Sequence, residues 1–137
     1  MASIVLISCV GQKRPAPSRA ADLYTSDWFR SALAYANGLI PDAIFILSAK
    51  YGLVSLDDVI EPYEETLKGK PDSDIRTWAG GVTQSLLAVA DLHEDHFVIL
   101  AGEHYRRHLV GHLMHVSVPL QGMRIGEQLS FLKRACT

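Results

Sequence analysis

Ser48, Lys50, Tyr51 and Gly52 follow directly on an apolar run, and Tyr63 comes after Pro62 at the far end of an acidic stretch, in "ILSAKYGLVSLDDVIEPYEETL". A lysine, two phenols and a serine hydroxyl supply a cation, hydrogen-bond donors and flat rings. Asp57, Asp58 and Glu61 supply carboxylates between them. This combination suits recognition of a polar, planar or anionic ligand better than it suits a mere connection.

Elements must place these groups. "SIVLIS" (3–8), "AIFILS" (43–48) and "HFVILA" (96–101) are short apolar, β-branched runs, the pattern of strands buried on both faces. "HVSVP" (115–119) is a weaker fourth. Helical segments fall between them. "SDWFRSALAYANG" has Ser26 as N-cap and Gly38 as C-cap. "SDIRTWAGGVTQSLLAVADL" follows Ser73 with apolar residues at helical spacing, weakened in its middle by Gly80 and Gly81. "EHYRRHLVGHLM" and "GEQLSFLKRA" complete the series. Alternation of this kind predicts one three-layer α/β domain over 1–137, with a mostly parallel central sheet of about four strands and helices on both faces. Right-handed crossovers then bring every strand-to-helix loop to one edge, where ligands of such folds bind.

Four loops are expected on that edge. The first, "SCVGQKRPAPSRAADLYTS", holds Ser8, Cys9, Gly11, Lys13 and Tyr24, and is long for its position. The second is the stretch quoted above, from Ser48 to about Leu67. The third carries Gly102 and Tyr105, and the fourth has Gly122 and Gly126 ahead of a helix opening with Glu127 and Gln128. Glycines before a helix let backbone amides approach a ligand, and the helix N-terminus favours negative charge.

The segments "LISCVGQK" and "ILSAKYGLVSLDDVIEPYEETL" resemble the YaaA-like proteins, a family named for a bacterial peroxide-stress protein that binds DNA. The resemblance rests on Ser8, Lys13, Ser48, Tyr51, Gly52, Asp57, Pro62 and Tyr63, and "PLQGMRIGEQLSFL" is similar to the end of that group's compact relatives. More distantly, the pattern is similar to folds of uracil-DNA glycosylase type and to base-exchanging enzymes. The resemblance implies a nucleic acid or nucleotide-like partner and glycosylase-like action at an N-glycosidic bond. It leaves open a non-catalytic DNA-binding stress protein and an enzyme of free nucleotides. Such cleavage needs a carboxylate or positioned water beside the sugar and donors beside the departing base. On this reading Lys50, Tyr51, Asp57 and Glu127 are the candidate catalytic groups. Tyr51 and Tyr63 wall the base, Ser48 and Lys50 orient it, Lys13 contacts phosphate, and Gly126 to Gln128 bring a helix N-terminus to negative charge. Ser8, Cys9, Tyr24, Gly52, Gly102, Tyr105 and Gly122 complete the expected ligand-binding set.

Other chemistries find less support. Cys9 near Lys13 is placed for activation by a neighbouring cation, but no His–carboxylate pair is marked as its partner. His104, His108 and His112 recur at four-residue spacing, with His115 close behind, yet no glutamate falls between them as in H-E-x-x-H. They read as a polar helix stripe, and no metal is expected. "GQKRPAPS" is not a P-loop, and no cofactor is expected. Trp28, Phe29 and Trp78 read as core. The net charge of −2 argues against a protein coated in positive charge. No apolar run approaches the roughly 20 residues of a membrane helix. "MASIVLISCVG" lacks a basic n-region and reads as a strand rather than a signal peptide. Cys9 and Cys136, in unlike contexts, suggest a reducing cytoplasm, and oligomeric state is left open.

Overall fold

The computed structural model describes residues 1–8 and 11–135. Strand β1 (Ser3–Ser8) lies at the centre of a five-stranded sheet. Its residues are buried on both faces because alternate side chains enter two separate cores. Val5 and Ile7 pack with one set of helices, and Ile4 and Leu6 with the other. That is why its sequence shows an unbroken apolar run instead of alternation. Fully burying one such side chain contributes about 1.5–3 kcal/mol.

The chain then forms β2 (Ser18–Arg19), a single turn α1 (Ala20–Leu23) and α2 (Asp27–Gly38). Strand β3 (Ala43–Ser48) follows and pairs parallel with β1. Next come β4 (Gly52–Ser55) and β5 (Val59–Ile60), then α3 (Asp72–Leu87) and β6 (His96–Leu100), the latter parallel to β1 on its other side. A short α4 (Glu103–Arg106), a 3-10 turn (Val110–His112), β7 (His115–Ser117) and α5 (Ile125–Ala135) complete the chain. The sheet order is β4-β3-β1-β6-β7. Helices α1, α2 and α5 contribute to one core, and α3 and α4 to the other, which makes the expected three-layer α/β fold.

Four parallel strands share one direction, so Ser8, Ser48 and the residues after Leu100 and Ser117 leave the sheet at one edge. The second loop differs from expectation. It is a hairpin: β4 runs back antiparallel along β3, with Ser48 opposite Gly52 and Phe45 opposite Ser55. Gly52 permits it through a positive φ of 77°. Asp57 and Asp58 are thereby carried away from the carboxyl edge. β5 then pairs with β2 in a separate two-stranded ribbon, and the chain returns to the edge at Pro62 and Tyr63.

Two helix expectations change as well. Ser26 caps α2 as anticipated, its Oγ accepting from Phe29 N at 3.2 Å. Gly38, however, is the last helical residue, and the left-handed position falls on Ile40 (φ 51°), 88% exposed. The expected helix after Glu103 breaks at Arg106, because the chain tightens into the 3-10 turn before β7. The four-residue histidine spacing therefore does not build one face. Helix α3 forms as expected and continues unbroken through Gly80 and Gly81, held by Ile75, Ala79, Val82 and Leu86 on its buried side.

Both glycines are exposed, and a Cβ on either meets nothing within 4 Å. Glycine inside a helix costs about 0.5–1 kcal/mol relative to alanine. Gly80→Ala should therefore raise the melting temperature by about 2–4 °C. An unchanged or lower midpoint in a thermal melt would show that the position is not an ordinary helix interior.

Candidate functional site

Ser48 ends β3 fully buried, so its hydroxyl must be satisfied within the protein. It accepts from the amides of Tyr51 (3.0 Å) and Lys50 (3.3 Å), which shapes the β3–β4 turn, and donates to the Tyr63 hydroxyl at 2.8 Å. The Tyr63 hydroxyl also lies 2.8 Å from that of Tyr24, buried at the end of α1. Two chain segments distant in sequence are thus tied to one strand end.

The first loop is held by backbone bonds. Arg14 N donates to Leu23 O at 2.8 Å and Thr25 N to Gln12 O at 2.9 Å, so Lys13 pairs with Tyr24 as an isolated antiparallel bridge. This places the Lys13 ammonium 4.6 Å from the Tyr63 ring centroid and 5.7 Å from that of Tyr24. Its Nζ also donates to Gly11 O at 3.3 Å. Gly11 takes a positive φ of 89°, and a Cβ there would come within 3.3 Å of Ser26 Cβ.

Lys13, Arg14, Tyr63, Glu64, Glu65 and Tyr105 line an open cleft of about 560 Å³ beside this chain of hydroxyls. Its far side is braced from the second core. The ring of Tyr105 meets Trp78 edge to face at 5.6 Å, and Trp78 Nε1 donates to Ser48 O at 2.8 Å. Trp78, read from sequence as core alone, also fixes the site.

Not every expected residue arrives here. Ser8 is buried at the end of β1, beside Leu47 of β3. Lys50 lies over the ring of Tyr51 (5.3 Å), and Tyr51 packs edge-on against Tyr63 at 5.6 Å, beyond the cleft lining. Asp57 is drawn off by the β4 hairpin and pairs with Arg19 of the ribbon. Glu127 accepts from Arg124 N at 3.0 Å, closing the first turn of α5 as a helix cap. Gln128 accepts from Trp28 Nε1 at 3.0 Å and donates to Met123 O at 3.0 Å, which ties α5 to α2. Gly126 lies in the first turn of α5, against a different surface depression. Gly122 forms a left-handed turn and Gly102 caps α4, neither in the cleft lining. Cys9 lies outside the described residues. Arg14, Glu64 and Glu65 are charged cleft groups outside the expected set. The signal for Glu64 was its place next to Tyr63 in the most specific motif.

A family model matches residues 4–134. The chain belongs to DUF6884, a family of unknown function. No curated protein and no solved structure gives a significant match to it.

The helix that carries Tyr105 is itself anchored by charge. Arg107 donates to both Glu103 oxygens (2.8 and 2.6 Å) and to Asp72 Oδ1 at 2.9 Å, and His108 Nε2 lies 2.7 Å from that same oxygen. Asp72 begins α3, where the helix dipole also favours a carboxylate. The His108 hydrogen bond, then that from Arg107, hold its carboxyl down at about 2. The Glu103 carboxyl is also lowered, by Arg107, whose guanidinium is correspondingly raised. Half-exposed groups such as these are screened by salt.

A carboxyl lowered on folding contributes stability above its unfolded value, about 3.9, and loses it as pH falls through the folded value. The parent should therefore melt higher than Asp72→Asn at pH 5, with the gap closing between about pH 4 and pH 2 and shrinking in salt. Thermal melts across that range check it. A constant gap would mean the carboxylate's charge is irrelevant.

Proposed function

We propose that the cleft binds a nucleotide-like ligand, in nucleic acid or free, and acts at its N-glycosidic bond. The observation that carries this reading is the meeting of a cation, an aromatic ring and a carboxylate, Lys13, Tyr63 and Glu64, in one cleft at the carboxyl edge of a mostly parallel sheet. That edge is where open α/β sheets bind ligands. Lys13 and Arg14 enter no ion pair with a carboxylate among the described residues, so they are available to a phosphate. Glu65 is neutralised by Lys70 at 2.9 Å, which leaves Glu64 as the cleft carboxylate to accept a proton from an attacking water.

The resemblance to YaaA-like proteins supports the same class of ligand. The roles move within the motif: Glu64 replaces Asp57 and Glu127 as the carboxylate, and Tyr51 supports Tyr63 from outside the cleft. A cytoplasmic setting accords with this reading. Among the described residues no helix is long and apolar enough to cross a membrane.

Release of free base from panels of modified DNA, RNA and nucleosides tests the activity; binding with no release from any panel would reduce the protein to a binder. Lys13→Ala should weaken binding of a mononucleotide by about ten- to a hundredfold, the loss of one charge-assisted hydrogen bond. Its melting point should change little, since the Lys13 side chain is half-buried and enters no ion pair among the described residues. Unchanged affinity in titration calorimetry would remove Lys13 from the phosphate site.

A further inference from the structure

Tyr63 occupies an unusual position for a residue that only walls a cleft. Its hydroxyl meets two other hydroxyls, and its ring lies beneath an ammonium group. We propose that Tyr63 is the general acid–base residue of the cleft, made so by Ser48, Tyr24 and Lys13.

The hydrogen positions at Ser48 follow from counting. A serine hydroxyl has one hydrogen and two lone pairs. The amides of Lys50 and Tyr51 occupy the lone pairs, so the hydrogen goes to the Tyr63 oxygen. The Tyr24 hydroxyl, also 2.8 Å from that oxygen, can rotate to donate when Tyr63 loses its proton. The phenolate of Tyr63 therefore receives two hydrogen bonds, each stronger than its neutral counterpart. Ser48 is shut off from water, which strengthens them further. The Lys13 ammonium, 4.6 Å from the ring centroid, favours negative charge on it.

Other charged groups modify the balance without reversing it. Arg14 lines the same cleft and acts with Lys13. Glu64 and Glu65, on the segment carrying Tyr63, oppose the phenolate, but Glu65 is paired with Lys70. Tyr51 presents its ring edge-on to Tyr63, with Lys50 at 5.3 Å over it.

In the reaction proposed above, on which this role rests, the sugar–base bond breaks with its electron pair going to the base. The Tyr63 proton passes to the base. A water oxygen bonds to the sugar carbon, and its proton passes to Glu64. Solvent then returns that proton to the Tyr63 phenolate, so the net change is addition of one water across the bond.

The acidity of Tyr63 is open to test without any ligand, which separates its failure from failure of the base-release screen. Tyrosinate absorbance should be followed against pH in the whole protein, which has five tyrosines. One of them should ionise about one pH unit or more below the ordinary value near 10. That early step should vanish in Tyr63→Phe and move upward in Ser48→Ala and Lys13→Gln. A single transition near the ordinary value overturns the proposal, as does an early step that survives Tyr63→Phe. Should Tyr63→Phe fail to fold, Lys13→Gln decides alone: an early step that it leaves in place overturns the assignment.

Discussion

A buried hydroxyl that lacks partners costs on the order of 1–3 kcal/mol, and Ser48 is wholly buried at the end of a central strand. The arrangement of the site depends on meeting that demand. The two amides that satisfy its oxygen set the tight turn into β4, and the oxygen that takes its hydrogen belongs to Tyr63. Its carbonyl is met by Trp78 from the opposite core. One residue thus couples the strand end, the hairpin, the returning segment and α3.

The first loop joins this centre through Tyr24 and not through its own polarity. Backbone pairing of 12–14 with 23–25 gives Lys13 a defined direction, over the Tyr63 ring. A lysine in an unpaired loop would sample many positions, and the entropy of ordering it would oppose binding. The bridge removes part of that cost in advance. On the other side, the Asp72, Glu103, Arg107 and His108 cluster holds α4 to the start of α3, and with it Tyr105 at the cleft. Packing and charge on both faces of the sheet converge on the same edge.

The carboxylates illustrate how local structure redirects chemistry. Asp57 is among the most exposed acids of the motif, yet the antiparallel return of β4 carries it to Arg19 in the ribbon. Glu127 sits in a glycine-flanked helix start that suits an anion site, but its side chain already serves the helix end. Glu64 lacks such a partner among the described residues and lies in the cleft.

By itself the sequence determined the layers, the three principal strands and the edge on which the loops meet. Strands of five or six apolar, β-branched residues buried on two faces leave runs too short for an ordinary helix, and parallel crossovers have one hand. It also marked Ser48, Lys13, Tyr24 and Tyr63, though as separate members of a motif. Only the tertiary structure decided which of the marked residues touch. A run of four residues, "GLVS", is too short to distinguish a strand from a loop, and its pairing with β3 is a tertiary choice made by hydrogen bonds along the sheet edge. That choice sent Asp57 away, brought Tyr63 back and put three hydroxyls in a row. No spacing along the chain encodes such a row, because it is formed by elements that meet only after the sheet is assembled.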